Sequence, residues 1–198
     1  EQKIGRSIGQ HEYADYYLEI EKVDDLVKTV RAAREVGIPV VVTGDARSLF
    51  EKGEKIAGLI IKNNCRKFDT MSMRGKISAQ GLGVSEVLVQ AESGTPMNQL
   101  VRFTIEEGLM GLEYQLGLPG TVGDALLANA GYKREKVRDS LHAVQVITRE
   151  GSIMTYMENF AMHLEQEILL TAIFHMIPAS KKALWERGQE AVEYRNRV

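Results

Sequence analysis

The chain has little of several features that would narrow its class at once. Its 198 residues include a single cysteine, Cys65, which excludes an internal disulfide and favours a reducing compartment. The net charge of −2 lacks the basic excess of a dedicated nucleic-acid binder. No apolar run approaches the ~18 residues of a membrane span, and the first residues lack a signal-peptide pattern. We therefore expect a cytoplasmic chain without nucleic-acid or membrane partners.

Metal-ligating and nucleophilic side chains are also sparse. His11, His142 and His175 are scattered and form neither a His-x-x-x-His nor a Cys-x-x-Cys pattern, and no Gly-x-Ser-x-Gly elbow occurs. Cys65 lies in a polar, basic stretch, which predicts a surface thiol without a function. The sequence alone therefore assigns no metal site and no catalytic residue.

A strand–helix–strand pattern opens the chain. Residues 13–20 are rich in aromatic and branched side chains, and residues 22–36 carry apolar side chains at helical spacing up to Gly37, which is placed to end the helix. The apolar run 38–43 is typical of a strand buried on both faces. This order predicts a β-α-β unit with a right-handed crossover.

The remainder predicts a mixed sheet with helices, so the fold class is α+β. Strands are predicted at 58–62, 76–83, 86–92, 140–148, 152–156 and 167–176, with helices at 96–107 and 124–129. Thr95 is predicted to cap the first of these helices, and Pro178 to open a final helix through about Arg195. The basic edge of the final helix predicts a solvated face or a contact surface for another domain or partner; it comprises Lys181, Lys182, Arg187, Arg195 and Arg197.

Two glycine-rich stretches stand beside these elements. Residues 112–132, LEYQLGLPGTVGDALLANAGY, place glycines at 117, 120 and 123, just before a predicted helix. Bare backbone at a helix start gathers N–H donors that suit an anion. Residues 43–50, TGDARSLF, follow a predicted strand, where α/β sheets often place ligands. Neither spacing is a dinucleotide fingerprint or a phosphate-binding loop, so the residues alone leave anion binding and plain structural turns equally open.

Together the two stretches resemble one family, the flavin-dependent UDP-N-acetylenolpyruvoylglucosamine reductases, also called UDP-N-acetylmuramate dehydrogenases. Residues 94–131, GTPMNQLVRFTIEEGLMGLEYQLGLPGTVGDALLANAG, are similar to the family's second flavin loop, G-L-E-x-x-x-G-I-P-G-T-V-G-G-A-x-x-x-N-A-G. Residues 14–50 look like its opening β-α-β and first flavin loop, G-G-G-S-N-L. The likeness covers roughly residues 8–195.

The resemblance implies a two-subdomain FAD-binding fold of the vanillyl-alcohol-oxidase/p-cresol-methylhydroxylase type. The expected units are an N-terminal subdomain at 1–62, a second at 63–178 and a C-terminal helix at 179–198. In the family that helix leads into a substrate domain, which this chain is expected to lack. The resemblance also implies residues that contact FAD: Gly44, Asp45, Ala46, Arg47, Ser48 and Leu49 in the first loop, and Gly117, Pro119, Gly120, Thr121, Val122, Gly123, Asp124, Asn129, Ala130 and Gly131 in the second.

In the family, NADPH reduces the flavin, which passes hydride to the enolpyruvyl ether of a UDP-sugar in peptidoglycan (cell-wall) biosynthesis. This chain would meet that substrate only if a substrate domain were supplied elsewhere. The family's Tyr-Arg segment has no counterpart in residues 154–168, where Tyr156 and His163 are the nearest substitutes and a structural role for both is the prediction.

Two acidic residues depart from the family pattern. Asp45 and Asp124 stand where the family has glycines, and Arg47 is placed to offset the charge of Asp45 by pairing with it or with phosphate. Like charges ~4 Å apart at an effective dielectric of ~20 repel by about 4 kcal/mol, roughly a thousandfold in affinity. Three hypotheses follow: an FAD-binding oxidoreductase unit, a flavin-fold binding or scaffold module without redox chemistry, and the same fold with a smaller or less anionic ligand.

Overall fold

The computed structural model describes residues 14–44, 56–78 and 81–197. Its strands are β1 (Ala14–Ile20), β2 (Val40–Thr43), β3 (Ile56–Asn63), β4 (Phe68–Ser78), β5 (Gly81–Glu92), β6 (Leu109–Met110), β7 (Gly131–Tyr132), β8 (Glu135–Lys136), β9 (Leu141–Ile147), β10 (Ile153–Tyr156) and β11 (Ile168–Pro178). Its helices are α1 (Val23–Glu35), α2 (Met97–Glu106), α3 (Val122–Leu127), α4 (Phe160–Gln166) and α5 (Lys181–Arg195), with 3-10 turns at Glu113–Gln115 and Val137–Ser140. None of the described helices is long and apolar enough to cross a membrane.

The first sheet is parallel, in the order β1-β3-β2. Helix α1 forms because its apolar residues recur at helical spacing, so that Leu26, Val27 and Val30 are buried together, and it ends at Gly37 with φ of 73°. The β-α-β unit is therefore present, but β3 lies between its two strands.

The second sheet is antiparallel, in the order β10-β9-β11-β5-β4, and β6 pairs with the end of β11. Its core lies under α2, α3 and α5 and includes Phe174, Leu100 and Leu184. The mixed α+β order expected from the sequence is thus present as two main sheets and a small β7–β8 hairpin, and the chain passes from the first main sheet to the second just after Asn63. The subdomain boundaries written above remain a prediction.

The two sheets share a core and a set of hydrogen bonds. Ile147 and Leu170 of the second sheet are fully buried in the same cluster as Leu26 and Val30 of α1. In addition, Arg31 Nε donates to Gly151 O at 2.7 Å, and Arg34 donates to the carbonyl oxygens of the same β9–β10 turn. The two sheets are therefore packed against each other through α1 and the β9–β10 turn.

Four local predictions are wrong, each for a tertiary reason. The run 38–43 is not buried on both faces, because β2 is a half-buried edge strand and β3 takes the centre. The predicted strand 76–83 is the distal end of the β4–β5 hairpin, where Ser78 pairs with Gly81; residues 79–80 lie outside the described residues. Thr95 does not cap α2, because its hydroxyl points to Lys67 O at 3.4 Å. Pro178 closes β11, and the last helix begins at Lys181.

Candidate functional site

The two glycine stretches meet between the sheets. Gly44 N donates to Asp124 Oδ1 at 3.4 Å, although 80 positions separate the two residues in the chain. A Cβ built on Gly44 would overlap Thr121 and lie 2.5 Å from Asp124 Oδ2, so only glycine allows this approach. The sequence brings these residues together because Gly44 follows β2 and Thr121 begins α3.

The Asp124 carboxylate is the centre of this contact. Its Oδ2 accepts from Thr121 N at 2.9 Å and from Thr121 Oγ1 at 2.8 Å, while Thr121 Oγ1 accepts from Asp124 N at 3.3 Å. This reciprocal pair is a capping box at the start of α3. The expectation that Asp124 serves as a first-turn acid is met, and the same carboxylate also reaches across to the first sheet.

A cavity of about 130 Å³ lies beside this contact. It is lined by Val42, Thr43, Gly44, Asn63, Ser93, Thr121, Gly123, Asp124, Leu127, Leu164, Glu167, Ile168 and Leu169. Among these described residues two carry carboxylates and none carries a positive charge. Whole-ligand pockets are usually ~300–1,000 Å³, so a cavity of this size holds only part of a cofactor.

Backbone donors at the second loop are already used within the chain. Thr121 N and Asp124 N bond within the capping box. Val122 N donates to Thr95 O, and Gly123 N donates to Ser93 O, both at 2.8 Å. A diphosphate placed here would therefore have to displace an existing partner for every N–H from 121 to 124.

A buried polar relay supports the cavity floor, and sequence reasoning missed it. Asn63 Nδ2 donates to Ser93 Oγ at 2.8 Å, and Ser93 Oγ donates to Leu169 O at 2.7 Å. Gly123 packs on the same serine, since a Cβ there would lie 3.1 Å from Ser93 O. Asn63 ends β3 and Ser93 follows β5. Their positions at strand ends, where ligand sites are common, were the sequence signal for this pair.

The first half of the glycine segment faces α5 rather than the cavity. Gly117 has φ of 78°, and a Cβ there would lie 2.9 Å from Val192 Cγ2. Its N–H donates to Asn98 Oδ1 at 2.8 Å. On the same side, Glu113 is buried, with Gly111 N at 2.7 Å from its Oε2 and Arg187 Nη1 at 3.0 Å from its Oε1. Gly117 thus provides close packing between a loop and a helix.

The basic edge predicted for the last helix is only partly solvated. Arg187 pairs with the buried Glu113, and this hydrogen bond raises the pKa of the arginine. Arg195 donates to Leu116 O and Tyr114 O, both at 2.7 Å. These two arginines fasten the glycine segment to α5, whereas Lys182 is exposed and makes only an (i, i+4) ion pair.

The other residues predicted to contact FAD lie around these two groups. Pro119 and Gly120 are exposed, and Gly120 has φ of 87°. Val122 is buried in the main core, and Asn129 adopts a φ of 44° at the end of α3. Ala130 N donates to Ala125 O, and Gly131 pairs with Lys136 in β7–β8. Asp45, Ala46, Arg47, Ser48 and Leu49 lie outside the described residues. The assignment of all these residues to a cofactor remains a prediction.

Tyr156 and His163 form a stacked pair near the cavity. Their ring centroids lie 3.4 Å apart, and both rings contact Glu167, which lines the cavity. Tyr156 Oη donates to Glu167 Oε1 at 3.4 Å, and His163 Nδ1 lies 3.5 Å from Glu167 Oε2. Burial and the nearby carboxylate raise the pKa of Tyr156. In the described structure the pair holds Glu167 in the cavity wall.

Cys65 was predicted at the surface, and this prediction is wrong. Its side chain is fully buried, and its Sγ lies 3.8 Å from Ile20 O. Burial, with smaller contributions from nearby acids, raises the pKa of the thiol to about 12. The basic neighbours in sequence do not decide the environment of this side chain.

Comparison with known proteins agrees with this architecture. A family model described as FAD binding domain matches residues 14–156. The chain therefore belongs to the FAD binding domain family. It is 27% identical to the UDP-N-acetylenolpyruvoylglucosamine reductase of Syntrophus aciditrophicus, over 90% of this chain and 57% of that protein. It is 30% identical to the UDP-N-acetylenolpyruvoylglucosamine reductase of Rubrobacter xylanophilus, over 89% of this chain and 58% of that protein. The resemblance stated above is confirmed for the FAD-binding region, and the chain spans little more than half the length of these relatives.

Solved structures show the same fold. The UDP-N-acetylenolpyruvylglucosamine reductase of Thermus caldophilus superposes with a TM-score of 0.62 at 20% identity, covering 91% of this chain and 62% of that one. Cholesterol oxidase from Brevibacterium sterolicum gives 0.60 at 14% identity, covering 82% and 34%. The predicted two-subdomain FAD-binding fold class is confirmed.

The described residues of the cavity do not match the charge of a diphosphate. The crevice lies between the two sheets, as the fold implies, and Gly44 reaches Thr121 across it. However, the cavity wall carries Asp124 and Glu167, and the second loop's N–H groups are engaged. The described part of the site therefore does not fit a diphosphate as it stands.

Proposed function

We propose that this chain is a flavin-binding module of the reductase type, with FAD entering the cavity beside the contact between Gly44 and Thr121–Asp124. The observation that supports the proposal is the convergence of these two loops between the sheets of an FAD-binding fold. Since the second loop offers no uncommitted N–H from Thr121 to Asp124, the diphosphate would depend on the first loop, Gly44 to Leu49. We expect FAD binding to be weak for this reason.

The wider chemistry belongs to the same proposal. By analogy with the reductases, NADPH would donate electrons, and a UDP-sugar enolpyruvate would be the acceptor, in cell-wall synthesis. A flavin supplies hydride transfer when bound, and the protein orients it. We assign no catalytic residue in this chain. Turnover of the sugar would require a substrate domain in addition to residues 14–197.

A second candidate function is a flavin-fold binding module without redox chemistry, for a smaller or less anionic ligand. The observation that favours it is the cavity wall, which carries two carboxylates and no positive charge among its described residues. A wall of this charge repels a diphosphate but not a neutral ligand.

The visible spectrum of the purified chain, with and without added FAD, separates the candidates. Yellow protein that releases FAD on denaturation supports the flavoprotein, and anaerobic bleaching by NADPH tests the redox half-reaction. A colourless chain that ignores FAD at high micromolar concentration contradicts it and favours the second candidate. Riboflavin, which lacks the diphosphate and the adenosine, is the comparison ligand, because tighter binding of riboflavin than of FAD would identify that half of FAD as the obstacle.

A further inference from the structure

We infer that Thr121–Asp124 and Gly44 form a clasp that joins the two sheets, and that the second glycine loop of this chain is not a phosphate cradle. The inference rests on the proposed function only for the position of the ligand crevice. It identifies what the loop does in this chain, where Asp124 replaces the family's glycine.

The first step is the position of the carboxylate. Asp124 Oδ1 accepts from Gly44 N at 3.4 Å, just after strand β2 of the first sheet, and Oδ2 accepts from Thr121 N at 2.9 Å, at the start of helix α3. One side chain therefore links the end of a strand of the first sheet to a helix that packs on the second sheet. A carboxylate has two oxygens with about four acceptor sites, so it can serve both partners at once.

The second step is that the contact is closely packed. A side chain at Gly44 would collide with Thr121 and Asp124, and a Cβ at Gly120 would lie 3.2 Å from Asp124 Oδ2. The glycines at 44 and 120 thus leave room for this carboxylate. In the family pattern no side chain stands at position 124, so the same bare backbone would be open to a ligand.

The third step is the use of donors. Thr121 N, Val122 N, Gly123 N and Asp124 N each have an acceptor within the chain, and Ser93 O and Thr95 O take two of them. A phosphate could bond to these N–H groups only by breaking bonds that also hold the turn between β5 and α2. The loop consequently serves the chain's own packing.

The test is amide hydrogen exchange on the whole chain, comparing wild type with Asp124→Asn. Gly44 N and Thr121 N donate to different oxygens of Asp124, and an amide keeps only one of the two oxygens, so Asp124→Asn loses one of these bonds. We expect exchange at Gly44 or Thr121 to become about tenfold faster, since hydrogen bonds to a charged acceptor protect at this scale. Asp124→Gly, which removes the side chain, should expose both amides.

The matched control is Asp139→Asn, because Asp139 accepts from Lys136 N at 2.7 Å in a similar turn away from the cavity. It should leave Gly44 and Thr121 unchanged. The probe is inorganic pyrophosphate, which should not slow exchange of residues 121–124 in the wild type. The clasp is overturned if Asp124→Asn and Asp124→Gly leave both amides as protected as before, or if pyrophosphate protects residues 121–124 in wild type.

This experiment distinguishes the clasp from the proposed function. Faster exchange in Asp124→Asn without FAD binding in any variant would support the clasp and contradict the flavoprotein. FAD binding by a wild type whose Gly44 exchange does not respond to Asp124→Asn would support the flavoprotein and contradict the clasp.

Discussion

The two halves of the second glycine segment have the same sequence character and different roles. Gly117 packs against Val192 of α5, close to the pair of Glu113 with Arg187. Gly123 instead packs against Ser93 and lines the cavity. A glycine motif that resembles one ligand loop is therefore divided into a half that anchors the last helix and a half that borders the crevice. The comparison teaches that bare backbone can serve protein packing as readily as ligand binding.

The largest effect is expected at the anchoring half. Replacing Glu113 by Ala removes a carboxylate that is 3% exposed and leaves Gly111 N and Arg187 without it. Because Arg187 is 42% exposed and can turn to water, we expect a loss of about 3 kcal/mol in the free energy of unfolding, at the low end for a broken buried pair. Urea denaturation measures it. Glu193→Ala, which removes an exposed ion pair with Arg197, should change stability by less than ~0.5 kcal/mol. Equal losses in the two variants would mean that burial of Glu113 adds no stability to its pair with Arg187.

The second effect tests the glycine in the anchoring half. Gly117→Ala forces a φ of 78° on a residue with a Cβ and presses it against Val192, so we expect about 2 kcal/mol of destabilisation. Adding Val192→Ala should relieve the steric clash but not the backbone strain of the positive φ. FAD affinity, if measurable, should not change. A variant that is as stable as wild type but no longer binds FAD would show that Gly117 serves ligand binding rather than packing on α5.

The third effect concerns Cys65, which is linked to the cavity by Asn63. Asn63 lines the cavity, and its Oδ1 accepts from Cys65 N at 2.9 Å. The folded pKa of about 12 exceeds that of an unfolded thiol, ~8.5, so the neutral thiol is favoured by folding. The stability that the neutral Cys65 thiol adds is fully present below pH ~8.5. As the pH rises toward 12, the free energy of unfolding falls by up to about 1.4 kcal/mol per pH unit.

Unfolding between pH 7 and pH 10, in wild type and in Cys65→Ala, measures this slope. The alanine variant starts from a lower stability because a buried side chain is truncated, but its decline with pH should be shallower. Parallel declines in the two proteins would place the titrating group elsewhere.

The smallest effect is expected at the cavity half. At Gly123 an added Cβ would lie 3.1 Å from Ser93 O, and the backbone there does not require a positive φ. We expect Gly123→Ala to cost less than about 1 kcal/mol, and to lower ligand affinity more than stability. Flavin fluorescence titration and urea unfolding of the same preparation give both numbers. A stability loss as large as that of Gly117→Ala would remove the distinction between the halves.

Much of the architecture follows from local patterns. The stripe of α1, the glycine at 37, and the alternating strands β9, β10 and β11 were predicted close to their observed bounds. The convergence of the two glycine stretches was also expected from the resemblance and is present at Gly44 and Asp124. Other features were not predictable in this way. Cys65, whose neighbours in sequence are polar, is buried because β1 and β3 pair beside it. Arg187 is only partly solvated because it pairs with the buried Glu113, 74 positions away.

The sequence by itself determined the order of elements, the family and the two glycine stretches, because periodicity, caps and glycine spacing are properties of neighbours along the chain. Only the tertiary structure decided that β3 lies in the centre of the first sheet, that Gly117 packs on a helix, and that Asp124 accepts from Gly44, 80 positions away. These outcomes depend on which distant donor or side chain arrives at a given atom. The partners of a hydrogen-bond acceptor or of a buried surface come from distant parts of the chain, and no pattern of adjacent residues specifies them.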